Sequence, residues 1–313
     1  MQTTRNTLTP DALAMLQTIA SEGSFAAAAR QLGLVPSALS NRVRQMEDAL
    51  DVLLFDRRSR QARLTAAGGE LLREGNRLLL ELDAIANRVK RVATGWEPQL
   101  TIAVDGIVSR PTVMELCEAF FAQNAPTQIK LRDEALSGTL LALTSGQADL
   151  ALGVAIESGT TAGVQAKPMG RLDFVYAVAP HHPLAAAPEP LSDELVARHR
   201  AVAVADSVHS LSGLTFGLLA GQEVFTVPDM VAKLDAHLRG LGGGFVPQQM
   251  AQGFIDTGRL VVKRVQRAER VVRLQYAWRA EGRGQQGRAL QWWLKRLESP
   301  ATRAALLHQR PVA

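Results

Sequence analysis

The chain has 313 residues, a formal net charge of +5, one cysteine, and 47% hydrophobic against 21% charged residues. That is too long for one ordinary domain and rich enough in apolar side chains for a sizeable core, so two or three globular units are expected. The lone cysteine excludes an intrachain disulfide and a cysteine-rich metal site, no run approaches the roughly 18 apolar residues of a bilayer span, and Met1 to Pro10 lacks the apolar core of an export signal, so a cytoplasmic protein without metal or cofactor is expected.

The first predicted helix starts at Thr9, an N-cap residue followed by Pro10, and puts Leu13, Leu16, Ile19 and Ala20 on one face. Gly23 ends it. Ser24 caps a second helix, Phe25 to Leu32, whose alanines at 26 to 29 let another helix approach closely. Gly33 breaks the pattern, and Pro36 and Ser37 open a third helix that runs to about Leu50. Two short helices around a tight glycine turn form a helix-turn-helix. The second of the pair carries Ser37, Ser40, Asn41, Arg42, Arg44 and Gln45, side chains that reach bases and phosphates from a major groove.

Two short extended pieces come next, Leu53 to Arg58 and Arg63 to Thr65, around an arginine-rich tip that carries Arg57, Arg58 and Arg60. Arginines in an isolated loop read as solvated surface. Directly after a recognition helix they read as a wing along a phosphate backbone, where cationic side chains displace counterions. A second basic group, Lys263, Arg264, Arg267, Arg270 and Arg273, is diluted by Glu269 and apolar neighbours and reads as strand and loop surface.

At these positions the chain resembles the LysR-type transcriptional regulators. The resemblance is carried by Ser24-Phe25, Ala28-Ala29, Leu32, Ser37-Ala38-Leu39-Ser40, Val43, Glu47, Leu53 to Arg57, Leu64-Thr65 and Gly68. It implies a winged helix-turn-helix, a dimerising linker helix and a two-lobed α/β sensor like the periplasmic binding proteins. It also implies double-stranded promoter DNA, a small-molecule inducer, assembly as a homodimer or homotetramer, and contact with RNA polymerase. DNA contacts are expected from Ser24, Ser37, Ser40, Asn41, Arg42, Arg44, Arg57, Arg58, Arg60 and Thr65. Where the family usually has Ser-Gln at the start of the recognition helix, this chain has Val35-Pro36, which shifts base reading toward Ser37 and Asn41.

From Leu71 onward apolar residues recur at heptad spacing, with Leu71, Leu78, Ile85 and Val92 in one row and Leu82 and Val89 in the other. Gly75 interrupts the second row. Charged flanks at Arg73, Glu74, Arg77, Glu81, Arg88 and Lys90 leave this stripe as the main apolar surface, so a coiled-coil dimer seam is expected. Two helix-turn-helix units locked together read two half-sites, which one alone does not do selectively enough.

Beyond Gly95 and Pro98 short β-branched runs alternate with helical stretches, the pattern of a parallel α/β sheet. Strands are predicted at Gln99 to Val104, Thr127 to Arg132, Asp149 to Val154, Ala201 to Val204, Glu223 to Val227 and Gly244 to Val246. Helices are predicted at Pro111 to Gln123, Gly138 to Thr144, from Asp229 to about Gly240, and Gln285 to Glu298. In the first of these the run Val113 to Cys117 is the place of a buried thiol. Asp173 to Ala179 and Arg270 to Trp278 should cross between lobes. The expected division is residues 1–66 for DNA binding, 67–95 for the linker and 96–313 for the sensor. Lobe I then covers about 99–176 and 277–313, and lobe II about 177–276.

Ligands bind at strand ends in such a cleft. The candidates there are Ser109, Ser137, Gly138, Ile156, Asp206, Ser207, Asp229 and Phe245. For the serines and Asp229 a helix cap is the competing role. The Asp206 carboxylate disfavours a purely anionic inducer and suggests a polar ligand with N–H or O–H donors, such as a ureide, nucleoside or amino compound. Val227 to Met230, Ala236 to Leu238 and Gly244 to Pro247 also resemble the family branch that controls allantoin and purine use. An exported binding protein would lack the helix-turn-helix. An enzyme finds no support, because the chain has no nucleophile elbow, Walker loop or paired-histidine metal motif; His181-His182 and Gly242 to Gly244 read as loop and turn.

Overall fold

The computed structural model describes residues 2–56, 62–155, 163–208, 217–267, 270–279 and 286–308. Two compact units divide the chain at Val89 and Lys90.

In the first unit, helices α1 (Gln2–Thr7), α2 (Pro10–Glu22), α3 (Phe25–Gln31) and α4 (Pro36–Leu50) precede the long helix α5 (Ala66–Thr94). The caps follow from residue type. The Thr9 hydroxyl accepts from the Ala12 N–H, and Gly23 closes α2 in the left-handed conformation with φ 62°. Ser24 caps α3 by accepting from the Ala27 N–H. The core gathers Leu16, Ile19, Ala28, Ala29, Leu39, Val43, Met46, Leu54 and Phe55. Phe25 meets Phe55 edge to face at 5.1 Å between ring centroids. Gly68 is required here, because a Cβ on it would overlap the Leu54 carbonyl oxygen.

The second unit holds β1 (Gln99–Asp105), α6 (Arg110–Phe121), β2 (Gln128–Glu134), α7 (Gly138–Thr144), β3 (Leu150–Val154) and β4 (Val164–Val178). These are followed by α8 (Asp193–Ala197), β5 (Ala201–Val204), β6 (Val224–Val227), α9 (Met230–Leu238), β7 (Gly244–Pro247) and α10 (Gln248–Asp256). The chain then runs through β8 (Val261–Lys263), β9 (Arg270–Arg279), α11 (Arg288–Leu297) and α12 (Pro300–Leu307). The main sheet is seven-stranded in the order β2-β1-β3-β9-β4-β7, with β8 also on β4. β1 is parallel to β2 and β3, whereas β9 runs antiparallel to both β3 and β4. A separate parallel pair joins β5 to β6.

β1 reads as a continuous apolar run because both of its faces are covered. Leu100, Ile102 and Val104 pack with Phe120, Tyr276, Trp278 and Trp293 on one side. Ala103 packs with Leu143, Ala151 and Ala277 on the other. Lobe I forms around these residues, and lobe II around Tyr176, Val178, Leu184, Leu191, Val196 and Phe245. β4 leaves β9 for β7 near Phe174, and β9 reaches the partners of β3 by Gln275.

Several elements escaped the pattern. The first half of β4 is mostly exposed and its register shifts between Pro168 and Gly170, so period-two alternation is hidden. α10 is rich in glutamine and contains Gly253, and only Ala251 on it is fully buried. The last predicted helix begins at Arg288 instead of Gln285. There the buried Glu97 carboxylate accepts from the Ala289 and Leu290 N–H groups and fixes the start.

Candidate functional site

In the first unit α4 is divided cleanly between two faces. Leu39, Val43, Met46 and Glu47 are buried, while Ser37, Ser40, Asn41, Arg42, Arg44 and Gln45 are exposed. Pro36 sits at the first turn, where a missing N–H costs nothing, and Val35 at the cap is 63% exposed. The helix thus presents a cationic, hydrogen-bonding face of the width that a major groove admits. Glu47 ties α4 to the first wing strand, because its Oε1 accepts from the Leu54 N–H at 2.8 Å and the Phe55 N–H at 3.4 Å.

The wing closes through a Phe55–Leu64 antiparallel bridge and an Asp56 N–H bond to the Arg63 carbonyl. Thr65 is engaged twice. Its hydroxyl donates to the Leu53 carbonyl at 2.6 Å and accepts from the Gly68 N–H at 3.0 Å. The tip arginines Arg57, Arg58 and Arg60 lie outside the described residues.

In the second unit a cavity of about 530 Å³ lies between the lobes, at the carboxyl ends of β1, β2 and β3 and the start of α9. Its apolar lining includes Ile107, Leu136, Phe174, Met230, Phe245 and Leu274. Its charged lining is Asp105, Arg110, Asp133, Glu134, Asp229 and Lys233. Asp105 ends β1 and is nearly inaccessible; its carboxylate accepts from the Ile107 and Leu136 N–H groups. Burial pushes its pKa up to about 7, against the pull of those two N–H bonds and with a further push from the Asp206 and Glu134 charges. Arg110 pairs with Asp133, and Arg132 with Glu134.

The family models that match this chain are described as "Bacterial regulatory helix-turn-helix protein, lysR family" over residues 10–69 and "LysR substrate binding domain" over residues 93–300. The chain belongs to the LysR family of transcriptional regulators. The uncharacterized regulator YeeY of Escherichia coli K12 is 37% identical over 255 residues, 82% of each chain. The probable regulator YhaJ of the same organism is 35% identical over 290 residues, 93% of this chain and 96% of that one. The crystal structure of full-length CbnR complexed with its target DNA shares the fold, with a TM-score of 0.58 and 17% identity over 93% of this chain and 99% of that one. As a LysR-type regulator the chain combines a DNA-binding helix-turn-helix with an effector-binding domain.

The LysR-type cleft does not receive every residue that the sequence assigned to it. Ser109 is wholly buried and turned from the cavity; its hydroxyl pairs with that of Thr112 at 3.1 Å, and its N–H donates to the Leu306 carbonyl of α12. Ser137 makes no side-chain cap bond and instead donates across the cleft to Asp206 at 2.5 Å. Ser207 donates to Glu134 at 2.7 Å and accepts from the Ala135 N–H. Gly138 admits that serine, since a Cβ there would collide with the Ser207 hydroxyl. Ser137, Gly138, Asp206 and Ser207 therefore form a latch between the lobes, and of these only Ser207 lines the cavity. Asp229 lines it and caps α9 through the Ala232 N–H. Phe245 lines it and packs edge to face on Tyr176. Ile156 lies outside the described residues.

Asp105, Arg110, Asp133, Glu134 and Lys233 are the charged cleft residues absent from the candidates that the sequence offers. An acid ending a buried strand just before Gly106 was the available signal for Asp105. Lys233 gave none, because a lysine on an amphipathic helix ordinarily reaches solvent, whereas this one is 6% exposed.

Along α5, Leu78, Leu82, Ile85, Val89 and Val92 remain exposed in a heptad stripe, with Val92 at 87%. Leu71 differs, since it packs on the helix-turn-helix core. Gly75 is buried too, where a Cβ would press on Leu13 of α2. The interruption of the seam at Gly75 is thus the point where the helix serves its own domain.

Proposed function

We propose that two copies pair through the α5 stripe from Leu78 to Val92 and set two recognition helices on a dyad operator. Ser37, Ser40, Asn41, Arg42 and Arg44 read bases and phosphates, while Ser24 at the start of α3 and Arg57, Arg58 and Arg60 on the wing hold the backbone. Thr65 acts indirectly by bracing the wing. The observation that carries this reading is the one-sided polar face of α4. Residues 1–66, 67–95 and 96–313 act as reader, coupler and sensor. The dimers assemble further into tetramers, and the complex acts with RNA polymerase in the cytoplasm as a regulator, not as an enzyme. Among the described residues no helix is long and apolar enough to cross a membrane.

The sensor cleft takes a small polar ligand with N–H or O–H donors, a reading supported by the carboxylates that line it. The test is a gel shift and footprint with the DNA immediately upstream of the protein's own gene, at two salt concentrations. Protection of a dyad that weakens steeply with salt is expected; salt-independent or sequence-independent binding overturns it. In a thermal-shift panel, a response confined to dicarboxylates or aromatic acids would overturn the ligand reading.

A further inference from the structure

The charges on the cleft wall are unevenly distributed. The cavity itself, about 530 Å³ in a domain that matches a substrate-binding model, is what marks a ligand site. The side chains on its walls select the ligand's charge. Arg110 is answered by Asp133 and Arg132 by Glu134. Among the described residues Asp105 is held by backbone N–H groups, and the ionised groups acting on it are two further carboxylates, Glu134 from β2 and Asp206 from beyond β5. Lys233 stands on the α9 wall of the other lobe. Between these walls the lining is apolar, with Phe174, Phe245, Leu274 and Met230.

We propose that the effector carries a cationic nitrogen head, an ammonium or amidinium, seated against the Asp105 carboxylate, with an apolar body along the Phe174–Phe245–Leu274 wall. This rests on the reading of the cavity as the effector site. A buried carboxylate flanked by like charges gains most from a cation that donates hydrogen bonds to it. An anionic head at the same place would meet the Asp105 carboxylate, with Asp206 and the Arg132-paired Glu134 beside it. The site prefers its ionised form when the cation is bound, so occupancy is linked to pH. With Asp105 pushed up to about 7, its ionised fraction rises about tenfold between pH 6 and pH 8, and the affinity for a permanently protonated amine rises with it.

The test uses the full-length protein and sets of matched probes: 2-phenylethylamine with 2-phenylethanol and phenylacetate, pentylamine with pentanol and pentanoate, and benzamidine with benzamide and benzoate. Thermal shift and calorimetry are read at pH 6, 7 and 8. The expected result is binding by cations alone, about tenfold tighter at pH 8 than at pH 6. Asp105→Asn should weaken it at least tenfold and flatten the pH profile. Ala155→Trp, which fills the cavity from an exposed position at the end of β3, should abolish it. Tighter binding by carboxylates or alcohols, or no binding by any cation, overturns the proposal. Loss with Ala155→Trp but not with Asp105→Asn rejects the cationic head and keeps the cleft. Cation binding untouched by both substitutions rejects the cleft reading itself.

Discussion

The two surfaces proposed for recognition in this regulator are opposite in charge and opposite in how the sequence builds them. The α4 face is cationic and comes from one helix, so that Ser37, Ser40, Asn41, Arg42 and Arg44 are neighbours in sequence and in space. The cleft is rich in carboxylates and is assembled from the ends of β1, β2 and β3 with the start of α9, residues more than a hundred positions apart. Helical periodicity alone sorts the first into inside and outside. Nothing local sorts the second, because the direction of a side chain at a strand end depends on which element packs behind it.

The largest test of this contrast concerns how many α4 faces act together. Leu78→Asp places a charge in the exposed heptad stripe and should yield a monomer by light scattering, with operator affinity reduced by about a hundredfold or more as the second half-site is lost. A variant that retains the parental mass and affinity would show that the stripe is not the seam. Next in size is Arg42→Ala. Arg42 is exposed on α4, so folding should be unaffected while operator binding falls about ten- to hundredfold in a gel shift. Unchanged affinity would mean that this face of α4 does not enter the groove.

The N-terminal unit was therefore largely legible in the sequence. Thr9, Gly23, Ser24, Gly33 and Pro36 each mark a boundary by their own backbone chemistry, and the structure places helix ends or turns there. Gly75 marks a weak point in the seam by sequence, but what fills its place, Leu13 of α2, is visible only in three dimensions. In the sensor the strands with buried faces were readable, and the exposed half of β4 was not. The cleft residues divide in the same way. Asp229 and Phe245 sit beside strong local signals, a helix cap and a glycine-preceded strand, and both line the cavity. Ser137 and Asp206 also sit beside such signals, yet they spend their side chains on each other across the cleft.

A third test uses acid stability. Buried His237 on α9 has its pKa lowered to about 3, chiefly by burial and further by the Lys233 and His182 charges. A depressed histidine contributes stability that is present above its unfolded value, near 6.5, and is lost as pH falls toward 3. Asp105 does the opposite. With a pKa raised to about 7, it contributes stability that is fully present below about 4 and is lost as pH rises through 7. Between pH 4 and 6.5 the two slopes, each about 1.4 kcal/mol per pH unit, run against one another. Asp105→Asn removes one of them, so chemical denaturation of this variant should show stability falling more steeply with acid than in the parent. Parallel profiles would indicate that Asp105 is ionised across this range and that its burial is relieved by solvent entry.

The smallest expected effect is the sharpest for the contrast between local and assembled sites. Ser109 lies between β1 and α6, a place where the sequence points to a ligand-facing hydroxyl. The structure instead fixes it against Thr112 and beneath α12, because Pro300 to Leu307 forms a helix whose carbonyl end lies over this turn. Ser109→Ala removes one buried hydroxyl contact and should cost about 1 kcal/mol in a denaturant melt. Ligand affinity by calorimetry should stay within about twofold of the parent, since a change well under 1 kcal/mol is all that an indirect effect through the α6 turn supplies. A tenfold loss of affinity at unchanged stability would place the hydroxyl in the cleft of the liganded protein. The packing of α12 would then be one state of a movable element, and the cleft would prove as legible from local sequence as the recognition helix.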